Sequence, residues 1–180
     1  MPLILGIDSS LTNTGLCHIW ASKGGQEIST ATVPTTPTAF GGTSFLSYSR
    51  RISYIVGVVD SYMKGVDLVV IEALAYGARG GSVWTLPWLW GRIVDAAVAR
   101  DIPVIAVGTS QRAKYATGKG NAPKDAVLAA TIRRWPSVAI DGNDVADALI
   151  LAAIGARFLG YPVDEMPKAH YIDVMKKLAA

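Results

Sequence analysis

The short apolar run Leu3-Ile4-Leu5-Gly6-Ile7 closes on an acid, Asp8. Its length and its isoleucines fit a strand covered on both faces. Turn formers and hydroxyls from Ser9 to Gly15 come next, and Leu16 to Trp20 resumes a strand pattern, so the two strands predict a hairpin. Lys23-Gly24-Gly25 makes a second turn, and Gln26 to Val33 alternates weakly, as an edge strand does. Pro34 to Gly42, rich in Thr, Pro and Gly, predicts an irregular loop with some mobility. Phe45, Ile52, Val56, Val59 and Met63 then draw an apolar stripe at helical spacing that ends near Lys64-Gly65.

Asp67-Leu68-Val69-Val70-Ile71-Glu72 is a second apolar strand ending in an acid. The glycine-rich stretch Ala73 to Gly81 predicts a flexible loop, and Ser82 to Arg100 a helix with Pro87 in or near its first turn. Pro103 to Val107 reads as the fifth strand and Thr109 to Tyr115 as a short capped helix. Past the turn Thr117 to Asn121, helices are predicted from about Ala122 to Arg134 and from Asp144 to Phe158. An amphipathic segment, Ala169 to Leu178, follows Gly160-Tyr161-Pro162, and no internal repeat is visible. This order predicts an α/β fold: a mixed five-stranded sheet, three antiparallel strands and then parallel additions, flanked by helices on both faces. The length fits one domain over residues 1–160 and a C-terminal tail over 161–180.

Parallel neighbours joined by a helical crossover would carry Asp8 and Glu72 to the same sheet edge, where open α/β sheets place their ligands. Asp144 and Asp147 stand three residues apart at a helix start, on one face and near the positive end of its dipole. Ordinary first-turn acid enrichment accounts for that pair alone. Joined with Asp8 and Glu72 it does not, because carboxylates about 5 Å apart repel by roughly 3 kcal/mol per pair at an effective dielectric near 20. Such an arrangement implies a bound cation. Carboxylate oxygens without His or Cys select hard ions, so Mg²⁺ or Mn²⁺ is expected. One ion or two would serve, two at about 3.5 to 4 Å being suited to in-line attack at phosphorus.

Composition narrows the setting. With 51% apolar and 17% charged residues, no membrane-spanning run and no secretory leader pattern, the chain is expected to be soluble and cytoplasmic. Its single cysteine, Cys17, excludes an intramolecular disulfide and reads as packed core, and with only His18 and His170 there is no zinc set. The net charge of +3 is unevenly spread: Pro103 to Pro136 holds Arg112, Lys114, Lys119, Lys124, Arg133 and Arg134 against the one acid Asp125. A basic stretch beside converging acids suggests a polyanion held next to a cation site. Gly118-Lys119-Gly120 lacks the rest of a nucleotide-binding pattern.

Gly6-Ile7-Asp8-Ser9-Ser10 with Thr14-Gly15, Val70-Ile71-Glu72, the Lys114 to Lys124 region and Asp144-Val145-Ala146-Asp147-Ala148-Leu149 occur in one order over about residues 3 to 157. In these the chain resembles the RuvC-type Holliday-junction resolvases of the RNase H-like superfamily. The resemblance implies that Asp8, Glu72, Asp144 and Asp147 are metal-binding catalytic acids, and that a homodimer nicks branched DNA symmetrically in a bacterial or phage-infected cell, near the nucleoid. It maps the family's basic helpers onto Lys114 and Lys124, with Lys119 beside them, Lys124 counting among the catalytic residues. Ser10, Tyr76, Arg79 and Arg112 are expected to join them in contacting DNA. The family's aromatic wedge, three residues past the strand-end acid, falls on Ala75 here, and Tyr76 follows it. Trp84, Trp88 and Trp90 cannot all hide on one helix face, and that helix corresponds to the family's dimer contact. A partner helicase is not identifiable from the residues.

Two other readings compete: an RNase H-like nuclease for flaps, forks or RNA-containing duplexes, and a DNA-binding protein that does not cut. Actin-like kinases share a phosphate loop resembling Gly6-Ile7-Asp8 with Ser10, Thr12, Asn13 and Gly15, yet they need two such domains and 180 residues provide one.

Overall fold

The alternation within the first strand decides where everything else goes. In a computed structural model describing residues 1–74 and 82–178, β1 (Leu3–Asp8) lies at the centre of the sheet. Leu5 and Ile7 point into one apolar cluster and Ile4 into the other. By that two-residue period Asp8 shares the face of Ile4 and Gly6. β2 (Asn13–Ser22) pairs antiparallel with β1, and β3 (Gly25–Pro34) antiparallel with β2. β4 (Leu68–Glu72) runs parallel to β1 with Ile7 opposite Ile71, and β5 (Val104–Val107) parallel to β4, giving the order β3-β2-β1-β4-β5.

α1 (Phe45–Tyr62) and α2 (Ser82–Val98) cover one face, where Ile52, Ile55, Leu89 and Ile93 meet Leu5, Ile7, Val69 and Ile71. The other face is covered by α3 (Thr109–Thr117), α4 (Lys124–Arg134), α5 (Asn143–Phe158) and α6 (Lys168–Leu178). α5 is the central helix of that layer, buried without a break from Val145 to Ala156. That explains its alanines: small side chains let its backbone lie close to the sheet. Cys17 is core, fully buried, with its thiol pushed up by desolvation.

The five strands and the mixed sheet agree with the sequence pattern, and several boundaries move. β2 begins at Asn13, inside the expected turn, because Thr14 and Gly15 already pair with Val33 and Thr32. α4 begins at Lys124, after Pro123 in extended conformation. Phe45 departs from the expected stripe: it lies in the first turn of α1, 74% exposed, while the stripe proper buries Ile52, Ile55, Val56 and Val59. The segment after Pro162 folds back as α6, burying Val163 and Val174 in the α5-side core. The Pro34 to Gly42 segment contains a 3-10 turn, Thr38–Phe40. Its start is held by buried Arg51, whose Nε donates to Thr35 Oγ1 at 2.7 Å and whose guanidinium also reaches the Leu11 carbonyl at 2.5 Å. No helix among the described residues is long and apolar enough to cross a membrane.

Candidate active site

Asp8 closes β1 and Glu72 closes the parallel neighbour β4, so two acids leave the sheet side by side. On β4, Val69 and Ile71 face the α1 and α2 layer while Leu68 and Val70 face α5; by the same alternation Glu72 points toward α5. The third acid comes from α5 itself. A Cβ on Gly6 would fall 2.1 Å from the Ala148 carbonyl oxygen and 2.6 Å from Ala152 N. Only glycine lets α5 press this closely on β1, and the contact brings Asp147 over the strand ends. Carboxylate oxygens of Asp8, Glu72 and Asp147 all lie within 4.8 Å of one another.

Asp144, one turn earlier, lines the same cleft of about 270 Å³ and accepts a hydrogen bond from Asn13 Nδ2 at 2.8 Å. Its position also depends on a glycine, since a Cβ on Gly15 would meet the Asp144 carbonyl oxygen at 2.1 Å. Ser10 and Lys124 line the cleft as well, Lys124 exposed at the first position of α4. The Ser10 hydroxyl accepts from Thr12 N at 3.2 Å and holds the turn that follows Asp8.

Burial first, then the charge of Glu72, push the Asp8 carboxyl up to about 7, with Asp144 adding to the rise and Arg112 opposing it. Arg112 is the feature that sequence reasoning turned the wrong way round. Expected on the DNA surface, it is 3% exposed and points inward from α3. Its guanidinium forms ion pairs with Asp147 and with Glu72 Oε2, the latter at 3.2 Å. Neither Nε nor Nη1 finds hydrogen-bond geometry there, so the pairing is mainly one of charge. Thr109 Oγ1 donates to Glu72 Oε1 at 2.5 Å, and Trp90 Nε1 donates to the Glu72 carbonyl at 2.9 Å.

These last contacts were not anticipated. Thr109 read, with Ser110, as one of two possible helix caps, Asn13 as a turn former, and Trp90 as an interface residue; the half-buried Trp90 also ties down the end of β4. Trp88 is half-buried beside Trp84, ring centroids 6.2 Å apart, and Trp84 packs on Phe45 and Tyr48. Lys114 is turned away from the acid cleft and pairs with Asp173 of α6. Lys119 lines a separate depression with Arg133 and Arg134. Tyr76 and Arg79 lie outside the described residues.

The donor set fits a hard divalent ion. Three carboxylates converge without His or Cys, and burial already disfavours their negative charge at Asp8. Fold and site together define an RNase H-like domain with an acid cluster at the carboxyl ends of adjacent parallel strands. The chain belongs to the crossover junction endodeoxyribonuclease RuvC family, whose sequence model matches residues 4–155. It is 28% identical over 153 residues to a crossover junction endodeoxyribonuclease RuvC of Paenarthrobacter aurescens strain TC1, covering 83% of this chain and 78% of that one. The Thermus thermophilus RuvC structure superposes with a TM-score of 0.69 at 22% identity, covering 91% of this chain and 99% of that one. Thermus thermophilus RuvC in complex with a Holliday junction substrate matches with the same TM-score at 18% identity, covering 91% of this chain and 98% of that one.

Proposed function

We propose that this protein is a divalent-metal-dependent endonuclease that hydrolyses phosphodiesters of branched DNA, four-way junctions foremost, with two copies placing symmetric nicks. The observation that carries the reading is the meeting of Asp8, Glu72 and Asp147 within 4.8 Å at one sheet edge, in a chain of the RuvC family. Mg²⁺ or Mn²⁺, as one ion or two, would be held by these acids with Asp144, and when bound supplies charge for water activation and for the phosphate oxygens.

The chain's own residues prepare the site. Thr109 holds one oxygen of Glu72 by a hydrogen bond, and the charge of Arg112 lies against the other. Asn13 orients Asp144. Lys124, which lines the cleft, would hold the scissile phosphate and offset charge developing on it. Ser10 contributes a hydroxyl to the same cleft. Tyr76 and Arg79, four and seven residues past Glu72, are assigned to the junction centre, Tyr76 by stacking. Such an enzyme acts on DNA inside the cell.

The test is cleavage of a synthetic four-way junction and a linear duplex of the same sequence, in Mg²⁺ and in Mn²⁺, by wild type and Asp147→Asn. Paired nicks in the junction, a spared duplex and a loss of about 100-fold or more in the variant are expected. Equal cutting of both substrates would hand the site to the rival reading, a nuclease of other specificity.

A further inference from the structure

α6 lies beyond residue 155, where the match to the family ends, and it builds a second cleft. Between α3 and α6 is a cavity of about 360 Å³ whose walls include Ser110, Gln111, Lys114, Gly120, Lys176 and Lys177. It adjoins the acid cluster through α3: Thr109 lines the catalytic cleft and Ser110, the next residue, lines this one. One carboxylate, Asp173, is seated among the lysines and ion-paired to Lys114. The three ammonium groups all act on it, Lys114 most strongly, and hold its carboxyl below the usual carboxylate range. α6 is not a loose appendage that happens to pass by. Val174 is buried at 1% exposure, and the Arg157 guanidinium lies 4.1 Å from the ring centre of Tyr171.

Three cations around a single carboxylate, in a cleft one residue away from the proposed site of phosphodiester hydrolysis, form an anion seat. We propose that the α3–α6 cleft binds a backbone phosphate of the DNA arm flanking the scissile bond. Lys114, Lys176 and Lys177 are its cations, and Asp173 is a resident stand-in that holds Lys114 until the phosphate takes its place. The inference rests on the DNA-cleaving reading above and extends it to a segment outside the family match. It also explains where Lys114 points: away from the acids, toward the next phosphates along the strand. Asp173 lowers affinity for DNA, and in doing so keeps the cleft from gripping anions at random.

The experiment is equilibrium binding of a synthetic four-way junction, without divalent metal, over a series of salt concentrations. It compares wild type, the double variant Lys176→Ala/Lys177→Ala, and Asp173→Asn. Each phosphate-contacting lysine contributes about one to the slope of log affinity against log salt. The double variant should bind roughly 10-fold more weakly with a slope shallower by about 1 to 2. Asp173→Asn should bind several-fold more tightly with a steeper slope. Because Lys176 and Lys177 are exposed, the double variant tests the cleft even if Asp173→Asn loosens α6. Wild type that binds the junction while the double variant keeps its slope removes the proposal alone. Wild type that binds no branched DNA removes the nuclease reading and this proposal with it.

Discussion

Asp8 and Arg112 carry opposite sides of one electrostatic problem, and their substitutions should move stability in opposite directions. The Asp8 carboxyl, pushed up to about 7 in the fold, titrates near 3.9 when unfolded. Protonation therefore favours the folded state. The contribution is fully present below pH ~4 and is lost as pH rises toward 7, at most about 4 kcal/mol for a change of this size. Asp8→Asn removes the charge without removing the shape. In metal-free protein it should raise the melting temperature by several degrees at pH 8 and leave it unchanged at pH 4. Arg112→Gln deletes the buried partner of Glu72 and Asp147. It should cost about 3 to 5 kcal/mol at pH 8. Thermal melts of the three proteins from pH 4 to 8 check both arms. Parallel curves would show that these charges are not coupled in the folded state.

At the scale of elements, what could be read from the chain was what depends on alternation and order. Two short apolar strands ending in Asp8 and Glu72, with a hairpin and a helical crossover between them, were expected side by side and parallel with both acids at one sheet edge, and β1 and β4 do pair in parallel. The inward turn of Arg112 could not be read, because it depends on how α3 rolls against the sheet edge after β5. Nor could the Lys114 partner, which arrives from α6, 59 residues away. The same limit hid Asn13, whose place at Asp144 exists only because β2 starts inside the expected turn. Close approach at Gly15 is of this kind too, and it is testable. A methyl there would collide with the backbone of Asp144, which no rotamer can relieve. Gly15→Ala should cost about 1 to 3 kcal/mol and, by shifting the start of α5, reduce junction cleavage about 100-fold. Gly24→Ala, with nothing within 4 Å of the added atom, should leave melting within about 0.5 kcal/mol of wild type and cleavage intact. Equal behaviour of the two variants would mean that helix placement does not set the site.

For the whole molecule the question that the proposed function raises is how a chain with one acid cluster among its described residues would cut two strands. A four-way junction is two-fold symmetric, so symmetric nicks call for two copies related by a two-fold axis. The surface suited to that contact lies where α1 and α2 begin. Phe45 is 74% exposed, Leu46 60%, Val83 52% and Trp84 38%, and the Phe45 and Trp84 rings lie 5.0 Å apart. A single exposed aromatic needs no explanation, but a contiguous apolar group from two helices does. Helix α2 also ties this surface to the site, since Trp90, further along it, donates to the Glu72 carbonyl. A second copy seated on Phe45 and Trp84 would therefore brace the strand end that carries Glu72. Phe45→Glu places a charge in the centre of that contact and leaves the acid cluster untouched. In sedimentation velocity at micromolar concentration, wild type should run as a dimer, and the variant should dissociate roughly 30-fold more readily or run as a monomer, the cost of losing one aromatic anchor. Its paired junction nicks should give way to single ones. A wild type that sediments as a monomer with junction bound, yet still nicks in pairs, would defeat the symmetric arrangement.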